Sequence, residues 1–259
     1  MINIAIEAAK EAAKIIIDAV QHLDTIKVSE KARNDFVTNV DRLSEQEIIK
    51  IIHAAYPEHG ILAEESGRQE GNGYLWVIDP LDGTVNFIHG LPHFAVSIGI
   101  YYQNQFQHAV IYDPIHQELF TASKGQGAWL NGRSIHVSKQ KQLQSSVLGT
   151  GFPFKQLPHL KSYTRMFEEF LPYASGIRRY GAAALDLAYV ACGRLDGFWE
   201  FGIHPWDIGA GVLLIKEAGG IITNFAGQED FLTQGHIVAS NPDIYNKMLQ
   251  IIQNCLPEK

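Results

Sequence analysis

Apolar residues at the start of the chain recur at helical spacing. Ala5, Ala8, Ala9, Ala12, Ile16, Ala19 and Val20 share one face, and Glu7, Lys10, Glu11, Lys14, Asp18 and Gln21 share the other. This predicts an amphipathic helix packed on a core. A second helix is predicted over roughly residues 43–55, where Leu43, Ile48, Ile51, Ile52 and Ala55 keep the helical period. TNVD just ahead of it reads as a capping box, and Pro57 and Gly60 end it. From Tyr74 to Phe120 the segments YLWVI, FAVSIGIYY, QHAVIY and ELFTA are short, β-branched or aromatic, and punctuated by turn residues, which predicts a mainly antiparallel meander.

Asn131-Gly132 within WLNGRSI is a hairpin signal, because both turn positions need positive φ. SVLGTGF reads as a further strand. Helices and strands then alternate: a helix near Leu157 to Leu171, the strand GIRRY, the helix AAALDLAYVACG ended by Gly193, and the strand LDGFWEF. PWDIGAGVLLIKEAGG is a helix with Pro205 near its start and Gly219-Gly220 past its end, followed by the strands GIITNF and HIVAS and a helix from about Pro242. No repeat, low-complexity tract or linker-like break interrupts the pattern, so one α/β domain is expected over residues 1–259.

Composition narrows the class. The 259 residues are 46% hydrophobic, enough for a sizeable core. A net charge of -7 and a pI near 5.9 argue against a nucleic-acid or anionic-membrane surface, although an anionic small substrate fits if a metal reverses the local sign. Cys192 and Cys255 are far apart and form no Cys-x-x-Cys pair, as expected in a reducing cytoplasm. Charges spread through the N-terminal segment do not fit a signal peptide, and no run reaches membrane-spanning length.

The chemistry concentrates in WVIDPLDGTVNF. Pro80 biases Asp79 toward an extended backbone, so the strand is expected to end there and turn through Asp82-Gly83. Two carboxylates and a carbonyl such as that of Leu81 on one tight loop make a hard-oxygen cluster suited to Mg²⁺. An ordinary Asp-Pro and Asp-Gly turn accounts equally for these residues taken alone. A short helix over Thr84 to Ile88 would add N–H groups of Gly83, Thr84 and Val85 as an anion site beside the acids.

Other acids have bland readings too. In LAEESG, Glu64 is placed to ligate a metal while Glu65 points to solvent, but an exposed acidic turn explains both. Asp207 in HPWDIGAG suits the dipole of a helix start, and Asp41 suits a helix cap. His89 and His93 are separated by Gly90 and Pro92, which argues against a helical two-His zinc site. No Walker motif, dinucleotide fingerprint or nucleophile elbow is present.

Taken together, DFVTNVD, LAEESG, WVIDPLDGTVNF and WDIGAGVLLIKEAGG resemble the inositol monophosphatase family of Mg²⁺-dependent phosphatases. VLGTGFPF, RRYGAAALDLAYVACGRLDGFWE and GIHPWD extend the resemblance to its bacterial, SuhB-like branch and over nearly the whole chain.

The resemblance implies an αβαβα layered sandwich, of the type shared with fructose-1,6-bisphosphatases, and a cytoplasmic homodimer. It implies that Glu64, Asp79, the Leu81 carbonyl, Asp82 and Asp207 surround two or three Mg²⁺ ions. Thr84 and Asp41, with Glu64, would activate water. Leu81, Asp82, Gly83, Thr84 and Asp207 would border the substrate phosphate, and Asp82, Ala183 and Glu200 would meet a polyol, with Arg178 a further contact.

The expected reaction is hydrolysis of myo-inositol 1-phosphate or a related inositol monophosphate. Fructose 1,6-bisphosphate and adenosine 3′,5′-bisphosphate are alternative substrates. A protein-binding role in transcription or RNA control, using Arg178-Arg179, is an alternative of another class. Two positions depart from the family pattern. Ala182 replaces a common Ser or Thr, and Lys31 precedes DFVTNVD at a slightly shorter interval than the family's active-site lysine.

Overall fold

The computed structural model describes all residues except 34, 231, 233, 234, 258 and 259. The amphipathic pattern at the start forms α1 (Ile2–Val20), which buries Ala5, Ala8, Ala9, Ala12, Ala13 and Ile16. A hairpin of β1 (Val28–Ala32) and β2 (Asp35–Thr38) follows and leads directly into α2 (Asn39–Ala55). The expected capping box is present: Thr38 is the N-cap and Asp41 the reciprocal acceptor.

Next come β3 (Gly60–Ala63), β4 (Gly67–Gln69), β5 (Leu75–Asp82), α3 (Thr84–Ile88), β6 (Ala95–Tyr102), β7 (Gln105–Asp113) and β8 (Glu118–Ser123). The chain closes this sheet with β9 (Ala128–Leu130) and β10 (Arg133–Ile135). Asn131 and Gly132 between them have φ of 48° and 75°, as the hairpin signal requires. Among the described residues the sheet has eight strands in the order β10-β9-β8-β7-β6-β5-β3-β4, antiparallel except for the β3–β5 pair.

The second half supplies β11 (Val147–Thr150), α4 (Leu160–Phe170), β12 (Gly176–Arg178), α5 (Ala183–Ala191), β13 (Gly197–Glu200) and α6 (Pro205–Glu217). It ends with β14 (Ile221–Thr223), β15 (Ile237–Ser240) and α7 (Pro242–Cys255). Its sheet, in the order β12-β11-β13-β15-β14, is mixed, with β11 parallel to both neighbours.

The layers run α, β, α, β, α. One core lies between α1, α2 and the large sheet, around Ile16, Ile48, Trp76 and Ile98. A second joins the two sheets through α5 and α6, around Leu185, Leu187, Phe198 and Leu214. A third packs α4 and α7 on the outer face of the small sheet, around Phe170, Trp199, Met248 and Ile252. Helices sandwiched between two sheets must be apolar nearly all round, which is why every residue of α6 from Ile208 to Ile215 is buried. No helix among the described residues is long and apolar enough to cross a membrane.

Candidate active site

The strand carrying the paired acids departs from the sequence expectation in an informative way. β5 does not end at Asp79 but runs through Asp82, and its pairing with β6 slips by one residue between the acids: Asp79 faces Ser97 and Asp82 faces Ala95. Residues three apart on a regular strand point to opposite faces. The extra residue, next to Pro80 with no N–H to pair, reverses that alternation, and both acids line one cavity of about 330 Å³.

Gly83 then turns the chain at φ 92° into α3; a Cβ there would stand 3.0 Å from the His93 carbonyl oxygen and 3.2 Å from Ala182 Cβ.

Each acid is held by local backbone. Asp79 Oδ1 accepts from the Leu81 N–H at 2.9 Å, and Asp82 Oδ2 from the Ala184 N–H at 2.7 Å. Asp207, in the first turn of α6, accepts at Oδ2 from the His204 N–H at 2.6 Å and stands within hydrogen-bonding reach of Asp79. Glu64 follows β3, in a turn whose Glu65 and Ser66 N–H groups both donate to buried Glu45 of α2 at 2.8 Å. Glu64, Asp79, Leu81, Asp82 and Asp207, all expected metal ligands, border the same cavity.

Thr84 lies beside them, with its hydroxyl 3.0 Å from Asp41 Oδ1 and 3.1 Å from the Leu81 carbonyl oxygen, either of which can accept its proton. Asp41 sits behind Thr84 and does not line the cavity itself. Its Oδ2 accepts from the Thr38 N–H at 2.9 Å and hydroxyl at 2.5 Å, so the helix cap also orients this acid.

Burial is the largest influence on every one of these carboxyls, and repulsion by neighbouring acids adds to it at all but Asp41. Glu64 is pushed up to about 7 by burial and Asp207, with Lys31 offsetting part of the shift. Asp207 is pushed up to about 6 by burial, against the His204 N–H. Asp79 and Asp82 lie well above the usual carboxylate range, from burial and neighbouring acids. Asp41 is raised by burial, against its hydrogen bonds from Thr38 and Thr84.

A concentration of buried oxygen donors that resist ionisation fits a hard divalent cation, whose charge would reverse the local preference for the proton. Among the described residues no group of three His, Cys, Asp or Glu side chains is placed to hold a metal ion. Mg²⁺ does not require one, since it characteristically takes one or two carboxylates and completes its shell with water and phosphate oxygens.

On the opposite wall, Ala183 and Glu200 line the cavity as expected. Arg178 does not: it is exposed at the end of β12, and its neighbour Arg179 lines the cavity instead, with its guanidinium 5.8 and 5.5 Å from the ring centroids of Phe152 and Phe154. The extended backbone turns successive side chains to opposite sides, so a one-residue error exchanges cavity for solvent.

Glu65 also differs from expectation, since its side chain is buried and bonds Lys31 Nζ at 2.5 Å. Lys31 bridges it to Glu64, at 3.0 Å, and the paired acids hold its ammonium above the ordinary lysine value despite burial. Asp35, Lys155 and Asp186 line the cavity without having been singled out. Of these, Asp186 had a legible signal, because an acid in the otherwise apolar run AALDLAYVA needs a reason to be there.

Comparison with known proteins gives four concordant matches. A family model described as "Inositol monophosphatase family" matches residues 1–256. Nus factor SuhB from Pseudomonas aeruginosa is 53% identical, with 99% of this chain and 97% of that protein covered. Among solved structures, the extragenic suppressor protein suhB from Bartonella henselae matches with TM-score 0.95 and 40% identity over 98% of each chain. Inositol monophosphatase from Anabaena matches with TM-score 0.86 and 40% identity over 99% of this chain and 96% of that one.

Proposed function

From the premise that this chain belongs to the inositol monophosphatase family, we propose that it is a Mg²⁺-dependent phosphate monoester hydrolase whose best substrate is myo-inositol 1-phosphate or a related inositol monophosphate. The observation that carries this reading is the convergence of Glu64, Asp79, Leu81, Asp82 and Asp207 on one cavity beside a Thr84–Asp41 hydrogen bond. These five residues would hold two or three Mg²⁺ ions, which supply positive charge for the phosphate and acidify water.

The chain's own residues divide the remaining work. Thr84 positions the attacking water and passes its proton toward Asp41, whose burial makes it a stronger base than an ordinary carboxylate. The N–H groups of Gly83 and Thr84, where the chain enters α3, face the phosphoryl oxygens as charge develops. Ala183 and Glu200 meet the polyol on the far wall. The continuous cavity, fed by both sheets, supports treating residues 1–259 as one domain, which we propose assembles as a cytoplasmic homodimer.

Phosphate release from myo-inositol 1-phosphate, fructose 1,6-bisphosphate and adenosine 3′,5′-bisphosphate, with Mg²⁺ and with EDTA, tests the reading. Mg²⁺-dependent preference for the inositol ester supports it. Preference for either bisphosphate reassigns the substrate, and a folded protein inert on all three argues against hydrolysis of this class.

The relative named Nus factor SuhB, at 53% identity over nearly the full length, favours a second reading in which the chain binds protein partners in transcription or RNA control. This likeness speaks for a partner role more directly than for any particular substrate, and the two roles are compatible. Arg178, exposed and outside the cavity, is the residue with which to separate them. Loss of partner capture in Arg178→Glu with hydrolysis intact supports a distinct docking surface, whereas unchanged capture removes Arg178 from it.

A further inference from the structure

Asp186 is a buried acid that the proposed mechanism leaves unused. It lies in the first half of α5, is 2% exposed, and its Oδ1 has no hydrogen-bond partner. It lines the cavity together with Glu200, and both Glu200 and Asp82 repel its charged form.

The two acids sit beside β11 and the residue that follows it, Gly149 lying in the strand and Gly151 just past its end. A Cβ at Gly149 would stand 3.4 Å from Asp186 Oδ1, and one at Gly151 only 1.8 Å from Glu200 Oε1. The parallel register of β11 with β13, Gly149 opposite Phe198 and Thr150 opposite Trp199, brings the end of β13 beside Gly151 and so places Glu200 there. The absence of a side chain at Gly151 leaves room for the Glu200 carboxylate, and Asp186 Oδ1 stands at contact distance from the Gly149 position.

An acceptor buried without a donor is costly, and an apolar residue on this apolar helix would avoid that cost. A donor supplied by a ligand removes the penalty. We infer that Asp186 is a specificity-determining residue that, together with Glu200, accepts hydrogen bonds from hydroxyl groups on the organic part of a hydroxylated phosphate ester. This rests on the phosphatase reading and deepens it. Asp186 adds an acceptor on the polyol side, so that substrates are sorted by their hydroxyl pattern while the phosphate is handled elsewhere in the cavity.

The test compares the full-length wild type with Asp186→Ala, which removes both acceptor oxygens, in Mg²⁺, on myo-inositol 1-phosphate and on phenyl phosphate, which has no hydroxyl to offer. Asp186→Ala should raise KM for the inositol ester about tenfold while kcat stays within about twofold, and should leave both parameters for phenyl phosphate unchanged. A deoxy-inositol phosphate lacking the recognised hydroxyl should bind the wild type about tenfold more weakly and be indifferent to the substitution.

Equal effects on both esters, or none, would overturn the inference, and a lowered melting temperature accompanying equal effects would assign Asp186 to structure. Asp186→Leu, apolar like its neighbours on α5, carries the same comparison if the Ala variant does not fold. A wild type that hydrolyses neither ester brings down the phosphatase reading and this inference with it. A wild type active on both, without ester-selective loss in the variants, overturns this inference alone.

Discussion

Raising the pH of the metal-free protein should lower its stability, and Mg²⁺ should cancel much of that loss. An acid whose pKa is raised by folding keeps its proton where the unfolded chain has already released it. Its stabilising contribution is complete below the unfolded value, 3.8 for Asp and 4.5 for Glu, and disappears as pH rises through the folded value.

Glu200, pushed up to about 8 by burial and by Asp207, still binds a proton in the folded state between about pH 7 and 8, and Asp79, Asp82 and Asp186 lie well above the usual range. Each excess proton amounts to ~1.4 kcal/mol per pH unit. For a protein of this size that lowers the melting midpoint by about 3–6 °C per proton over that interval.

The interval also stays above pH 6.5, the ordinary value for His59, His93, His204 and His236, whose burial-lowered pKa values act with the opposite sign at lower pH. Calorimetry at several pH values, first in EDTA and then in excess Mg²⁺, measures both slopes. Metal ligands must ionise to bind, so Mg²⁺ should flatten the curve, leaving a residual slope from Asp186 and Glu200, which are not in the proposed ligand set. A midpoint that stays level or rises with pH in EDTA, or a slope that Mg²⁺ does not change, would refute the reasoning.

Asp82→Asn should reduce Mg²⁺-dependent phosphate release about a hundredfold or more, while raising the metal-free melting temperature at pH 8 by removing one of the repelling acids. Thr84→Ala should lower kcat about a hundredfold with KM within about twofold, because it breaks the link to Asp41; steady-state kinetics showing a pure KM effect would contradict that role. Gly151→Ala should displace Glu200, since the new Cβ would fall 1.8 Å from Oε1; the expected readout is a higher KM for the inositol ester with phenyl phosphate unaffected.

Much of the architecture follows from local pattern. The alanine stripe of α1, the capping box of α2 and the Asn131-Gly132 turn are each determined within a few residues, and each forms as expected. Four features of the cavity depend on distant partners. Lys31 and Glu65, separated by 34 positions, meet only in the tertiary fold, so an acid expected to face solvent is instead paired and buried.

The bulge between Asp79 and Asp82 is a property of the β5–β6 pairing, and a strand read alone carries no register. Arg178 and Arg179 are adjacent basic residues, and only the position at which β12 ends decides which one enters the cavity. The Asp35–Lys155 ion pair, which joins the first hairpin to the loop after β11, spans 120 positions and has no local signature.

A common construction explains how the fold tolerates so many acids in one place. Asp41, Asp79, Asp82 and Asp207 each commit one carboxylate oxygen to a backbone N–H, those of Thr38, Leu81, Ala184 and His204. These bonds partly compensate burial and fix the direction of the second oxygen, so repulsion among the acids cannot be relieved by rotating them away. The anchors belong to different elements, so the arrangement is only as rigid as the packing of α2, β5, α5 and α6 around it.

Such a site is organised before any ligand arrives, as the proposed phosphate ester hydrolysis would require. Asp186 lacks a partner at Oδ1 although it occupies the same helix that anchors Asp82. On the proposed reading, that open acceptor would mark the wall whose hydrogen bonding a hydroxylated substrate completes, apart from the backbone-anchored acids of the proposed metal site.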